Sequence, residues 1–205
     1  MSKAGTEVVT LRTQVSYGAP ALSLALMAIT FYVYIPKFYS DVVGINLAVI
    51  GNIVLISRIW DALIDPAMGS ISDRSRFAAG RRRPWIGLAL LPLSLSFFFL
   101  LSPQLNVGFV SDAMWFAVWT VLFFLFWTMH SVPYEALGAE ISFDYRERNR
   151  LFGMREGFLV LGTLFAAIVP AVYDFVLPGA NDPQAHEQRK FVALSLFYGA
   201  LLVGT

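Results

Sequence analysis

Three charged residues lie at helical spacing inside an otherwise apolar stretch of this sequence. Asp61 and Asp65 are four residues apart, and Arg58 precedes Asp61 by three. On an α-helix these side chains share one face and are within reach of one another. Charges within so apolar a stretch are costly in lipid, so they indicate a functional site. Two carboxylates so close in a low-dielectric cavity do not easily both stay ionised, and the pair can bind a proton or coordinate Na⁺.

The same three residues also allow a purely structural interpretation. A salt-bridge cluster could simply clamp this helix to its neighbours. We favour cation coupling, with Asp61 and Asp65 as the cation site and Arg58 as the residue that tunes it. Neither common phosphate-binding glycine loop is present, so nothing indicates that ATP drives the process, and we expect no cofactor. No Ser/His/Asp set indicates hydrolysis, so we do not expect an enzyme.

The composition identifies lipid as the solvent around these charges. Of the 205 residues, 57% are hydrophobic and 14% are charged, whereas soluble domains are about 25% charged. Long apolar runs of this kind are typical of membrane-spanning helices. No basic stripe is interleaved with stacking aromatic residues, so we expect no nucleic-acid partner. We expect an integral membrane protein of the cell (inner) membrane.

Turns and charged loops divide the chain into six predicted membrane helices. Residues 1–15 form a polar tail, and residues 16–205 form a bundle whose sixth helix is cut short. Basic residues concentrate in the tail and in every second loop, which places the N-terminus in the cytoplasm. This pattern predicts an all-α integral membrane fold, the six-helix amino-terminal half of a twelve-helix major facilitator fold. The predicted helices cover 16–39, 47–72, 85–101, 110–137, 151–176 and 191–205.

The arginine-rich loop after the charged helix is the predicted cytoplasmic gate. The gate residues are Gly69, Asp73, Arg74 and Arg81. The alternative is that these residues only cap the helix, orient it and contact lipid phosphates.

Several sequence motifs resemble the glycoside–pentoside–hexuronide:cation symporters, the group that contains the melibiose permease. The motifs are RIWDALIDPAMGSISDRSR with GRRRPW, FYSDVVG, VPYEALGAE and DYRERNRL. They cover nearly the whole chain, but only the amino-terminal half of that family. The resemblance implies a major facilitator fold and solute uptake coupled to H⁺, Na⁺ or Li⁺. It also implies that Asp61 and Asp65 match the acids of the family's cation site.

The resemblance fails at several positions of the permease's sugar site. The departures are Ala25 and Ser131 in place of two Asp residues, Glu135 in place of a stacking Trp, and Glu156, next to Arg155, in place of an Arg. The Asn between the two acids is replaced by Ile64. With fewer oxygen ligands, H⁺ is the expected coupling ion and Na⁺ the alternative. Ser131, Glu135, Arg155 and Glu156 are the substrate cavity candidates.

The sequence therefore predicts a cation-coupled symporter for a sugar or another small organic solute. Its expected partners are that solute, membrane lipid and a second six-helix half. Related family members carry lysolipids, so a substrate of that kind is a further possibility. A different class of function is a non-transporting half or a membrane assembly partner, because the predicted sixth helix stops at Thr205.

Overall fold

A computed structural model of the chain describes residues 9–78, 80–106, 108, 110–178 and 182–205. Within these residues every regular element is helical. Five of the six long helices are long and apolar enough to cross a membrane. The six are α1 (Leu11–Val43), α2 (Leu47–Arg74), α3 (Arg83–Leu100), α4 (Asp112–Ile141), α5 (Tyr145–Val176) and α6 (Pro183–Gly204).

Side-chain caps make three helices begin earlier than the sequence analysis predicts. A polar side chain before a helix accepts hydrogen bonds from the first free backbone N–H groups. Asp144 caps α5 in this way, and Asp182 caps α6. Thr10 caps α1, which begins at Leu11 rather than at residue 16. The predicted gap between the helices 110–137 and 151–176 is therefore wrong: its arginines occupy the first turns of α5, and only residues 142–144 separate α4 from α5.

Helix α1 contains two π-helical turns, Thr30–Tyr34 and Tyr39–Val43. A π turn inserts one residue into the helix and shifts the side chains that follow around its axis. The helix ends at Gly44, which adopts a left-handed conformation with φ of 85°. Asp41, which lies beyond the predicted end of this helix at residue 39, is therefore helical.

Helix α1 lies at the centre of the bundle. In its most apolar 18-residue segment 56% of the residues are buried, whereas the corresponding value is 17% for α2 and for α5. It packs most extensively along α5, where Gly162 permits close approach: a Cβ at this position would lie 2.5 Å from the backbone oxygen of Leu22. Helix α4 packs between α2 and α3, and α6 packs against α3. The exposed apolar faces of α2 and α5 are the surfaces left for lipid or another membrane segment.

An ion-pair cluster fastens the start of α6 to the end of α5. The buried Lys190 Nζ lies 3.0 Å from Asp174 Oδ2 and 2.6 Å from Glu187 Oε1. His186 Nε2 also contacts Asp174, at 2.9 Å. The sixth helix was predicted to begin at residue 191, but His186, Glu187 and Lys190 already belong to it. Each of them has a partner within the cluster, so these polar side chains do not require a loop.

We call the opposite end of the bundle the basic end. It contains the start of α1, the connection between α2 and α3, and the turn between α4 and α5. Two contacts bring these parts together: the Val9 amide donates to Glu147 Oε2 at 3.0 Å, and Arg81 pairs with Glu140 at 2.7 Å.

Candidate functional site

A cavity of about 470 Å³ lies among α1, α2, α4 and α5. It brings together the acidic face of α2 and polar residues of α4 and α5, which lie far apart in the sequence. The predicted site residues that line it are Arg58, Asp61, Asp65, Ser131, Glu135 and Arg155. Glu156 lies beside the cavity, where it pairs with Arg155. Ala25 also lines the cavity, so an apolar methyl group stands at the position where the resemblance indicates an Asp.

The two acids of α2 meet through a residue of α4. Thr128 Oγ1 lies 2.6 Å from Asp61 Oδ1 and 2.9 Å from Asp65 Oδ1. Asp61 is buried, and its other oxygen accepts a hydrogen bond from Arg58 Nη1 at 2.8 Å. Asp65 is exposed and lines the cavity. The pair is thus asymmetric, because one carboxylate is held by a guanidinium and the other faces open space.

The Arg58 guanidinium lies between two aromatic rings. Its Cζ is 4.9 Å from the ring centre of Tyr32 on α1 and 4.7 Å from that of Phe124 on α4. Phe124 and Thr128 are one turn apart on α4, so this helix contributes both to the arginine and to the acids. Three helices therefore meet at the charged face of α2.

A second charged group surrounds Arg155 on the α4–α5 side of the cavity. Arg155 Nη2 lies 2.8 Å from Glu135 Oε1, and Nη1 lies 3.1 Å from Glu156 Oε1. Its guanidinium also approaches the ring of Tyr134, at 5.6 Å. Only 17% of the Arg155 side chain is exposed, whereas both Glu side chains are more than half exposed. The group carries one excess negative charge and presents carboxylates, rather than the guanidinium, to the surroundings.

At the basic end, the predicted gate residues are joined by two residues that the prediction left out. Asp73 pairs with Arg82 at 2.7 Å, and Arg81 pairs with Glu140 at 2.7 Å. Arg82 Nε also lies 3.4 Å from Glu140 Oε1, so Arg82 connects the two pairs.

Two other predicted gate residues make no such connection. Arg74 forms no ion pair within the part of the chain that the structure describes. Gly69 lies on α2 opposite α4, where an added Cβ would be 3.9 Å from Val132. The structure thus brings Asp73 and Arg81 together in one network but leaves Arg74 and Gly69 outside it.

Sequence reasoning missed the residues that link the helices around the site, above all Thr128, Tyr32 and Phe124. One signal was available for Thr128, because it precedes Ser131 by three and shares its helix face. Nothing comparable marks Tyr32 or Phe124, since aromatic residues are spread through all the apolar runs of this chain.

The described residues form six long helices, five of them long and apolar enough to cross a membrane, with a cavity lined by charged residues, an arrangement that fits the amino-terminal half of a major facilitator fold. The family model described as MFS/sugar transport protein matches residues 16–205. The chain belongs to this family, and the resemblance to the glycoside–pentoside–hexuronide:cation symporters is confirmed.

Three similar proteins are named as symporters. An uncharacterized symporter of Synechocystis sp., sll1374, is 31% identical over 86% of this chain and 32% of its own length. The inner membrane symporter YicJ of Escherichia coli is 27% identical over 87% of this chain and 38% of its own length. The sodium-dependent lysophosphatidylcholine symporter 1 of Mus musculus is 31% identical over 87% of this chain and 33% of its own length. The chain thus spans about a third of the length of these curated relatives.

Proposed function

We propose that the chain is the amino-terminal half of a proton-coupled symporter for a small organic solute. Asp61 and Asp65 form its ion site, and the solute binds in the cavity that the Arg155 group borders. A second six-helix half completes that cavity from the opposite side, because alternating access uses two facing repeats. Family membership and the symporter names of the relatives support the transport class.

One observation carries the proton assignment: a single hydroxyl lies at hydrogen-bonding distance from both acids. A threonine hydroxyl has one hydrogen, so it donates to one carboxylate only. Its contact with the other acid is attractive when that acid is protonated and donates to the hydroxyl oxygen. Both contacts of Thr128 are therefore hydrogen bonds when the two acids together carry one proton.

The asymmetry of the pair supports Asp65 as the residue that carries this proton. Arg58 Nη1 lies 2.8 Å from Asp61 and pairs its positive charge with that carboxylate. Asp65 has no guanidinium partner among the described residues, and it faces the cavity through which ion and solute enter. In this scheme Asp65 gains and loses the coupling proton while Asp61 remains a fixed charge.

Sodium is the alternative ion, and one relative is named as sodium-dependent. The site offers three oxygen-bearing side chains, Asp61, Asp65 and Thr128, while the residue between the two acids is Ile64. A proton needs only one carboxylate oxygen, whereas a metal ion needs a shell of oxygens. The side chains present therefore favour H⁺.

The solute is a sugar or another small organic molecule, in keeping with the family description. A lysolipid is the alternative, because a relative is named for lysophosphatidylcholine. Ser131, Glu135, Arg155 and Glu156 are the proposed solute contacts. At the basic end, which we place in the cytoplasm, Asp73, Arg81, Arg74 and Gly69 belong to the proposed gate, together with Arg82 and Glu140.

The test is uptake by the intact protein in proteoliposomes, with radiolabelled sugars and lysophosphatidylcholine as probes. We expect an inwardly directed proton gradient to drive uptake of one of the probes, and an inwardly directed Na⁺ gradient to have little effect. Asp65→Asn should abolish the proton dependence, whereas Asp112→Asn, at the outer start of α4, should retain it. Sodium-driven uptake, or proton-driven uptake that survives Asp65→Asn, would refute the assignment.

A further inference from the structure

The two rings around Arg58 have no part in the function proposed so far. Tyr32 comes from the first π turn of α1, and Phe124 comes from α4. Phe124 is buried in the core, but the side chain of Tyr32 is 44% exposed, so packing alone does not explain its position over the guanidinium. We call these two residues the aromatic clamp.

The aromatic clamp restrains where the Arg58 charge can go. The face of an aromatic ring attracts a cation, and Arg is the cation most often found there. A contact of this kind increases the population of the held position by roughly two- to thirtyfold, depending on its exposure. The guanidinium is held between both rings while it also pairs with Asp61 at 2.8 Å. A long, partly exposed arginine is thus kept on one carboxylate.

A positive charge kept at Asp61 affects the two candidate ions differently. A Na⁺ ion that used oxygens of both acids would lie close to the guanidinium, where the two positive charges repel. A proton on Asp65 needs only that carboxylate and the Thr128 oxygen, on the side of the pair away from Arg58. Holding Arg58 in place therefore excludes the metal ion but permits the proton.

We propose that the aromatic clamp sets the ion selectivity of the site, because Tyr32 and Phe124 keep Arg58 on Asp61 and so exclude Na⁺ in favour of H⁺. Tyr32 and Phe124 are positioning residues in this scheme: they touch Arg58 and act on the ion through it. The inference rests on the proposed function, since it concerns the same ion site.

The test is a graded series at the exposed position of the clamp, in the purified intact protein. Tyr32→Trp and Tyr32→Phe keep an aromatic face, whereas Tyr32→Leu removes it at similar apolar bulk. Tyr145→Leu is the matched control, since Tyr145 is an exposed tyrosine at the basic end, away from Arg58. The probe is Na⁺ alone: binding of radioactive sodium, and the protons released when NaCl is added to weakly buffered protein.

We expect wild type, Tyr32→Trp, Tyr32→Phe and Tyr145→Leu to bind Na⁺ weakly. Tyr32→Leu should bind it about tenfold more tightly and release protons as it does so. A thermal unfolding midpoint equal to that of wild type shows that the variant is folded. Phe124→Leu should change Na⁺ binding in the same direction, as an independent removal of the other ring.

The outcomes separate this inference from the proposed function. If wild type shows proton-driven uptake but Tyr32→Leu and Phe124→Leu bind Na⁺ as weakly as wild type, the clamp does not set selectivity and only this inference falls. If wild type itself binds Na⁺ tightly and Na⁺ drives uptake, the proton assignment falls and the clamp proposal falls with it. A loss of stability without a change in Na⁺ binding would likewise show that the rings are only structural.

Discussion

Removing the Thr128 hydroxyl is the most direct perturbation of the proposed proton site. Thr128→Val keeps the shape and volume of the side chain but removes the oxygen that lies 2.6 Å from Asp61 and 2.9 Å from Asp65. Thr128→Ser keeps the hydroxyl and loses only a methyl group, so it is the matched control.

The expected loss of proton affinity follows from counting the hydrogen bonds of Thr128 with Asp65 protonated and with Asp65 ionised. With Asp65 protonated, the hydroxyl takes part in two hydrogen bonds, one to each acid. With Asp65 ionised it can donate to only one of them. The protonated state therefore loses one more bond in Thr128→Val, the neutral bond from the Asp65 carboxyl group to the hydroxyl oxygen, and such a bond contributes about 1 kcal/mol. This corresponds to roughly fivefold weaker proton binding.

The assay is the pH dependence of solute uptake by the intact protein in proteoliposomes. Thr128→Val should need roughly fivefold more H⁺ for half-maximal uptake, a midpoint about 0.7 pH unit lower, and Thr128→Ser should behave like wild type. If Thr128→Val shows the same pH dependence as Thr128→Ser, the hydroxyl does not bridge the two acids, and the proposal of one proton on the pair is wrong.

Three further predictions concern packing, the basic end and the solute cavity. Gly162→Ala should destabilise the protein by about 1–3 kcal/mol, because the new Cβ meets the α1 backbone. Gly153→Ala, whose new Cβ faces open space, should stabilise it by about 0.5–1 kcal/mol, because Ala favours the helix over Gly. Thermal unfolding in detergent measures both. Arg82→Gln should lower stability by about 1 kcal/mol, since it breaks two partly exposed ion pairs, and Arg74→Gln should change it by less than about 0.5 kcal/mol in the same assay. Arg155→Gln should abolish solute uptake but leave Na⁺ binding as weak as in wild type, and a change in Na⁺ binding would place this residue in the ion site instead.

The start of α5 shows why charge alone misplaces a helix boundary. The arginines of residues 146–150 suggest a solvated loop because they are too polar for lipid. Asp144 followed three residues later by Glu147 is, however, a helix-start pattern, and the Asp144 side chain caps the helix there. A helix can extend well beyond the lipid, so polarity marks the edge of the membrane rather than the end of the helix. The capping signal was local and could have been read from the sequence.

The sequence by itself determined the membrane class, the family and the shared face of the α2 charges. Each of these depends on composition, on a motif or on a spacing of three or four residues along one helix. Arg58 and Asp61 pair as that spacing predicts, and the acids lie on one face.

Only the tertiary structure decided which residues of other helices meet that face. Thr128 joins the two acids, Tyr32 lies over Arg58, and Arg82 rather than Arg81 pairs with Asp73. These contacts depend on how far one helix is shifted and rotated against its neighbour, which side-chain packing along the whole interface sets. A π turn in α1 changes that rotation again, and no residue type announces it. The acids could therefore be found in the sequence, but the partners that give them a chemistry could not.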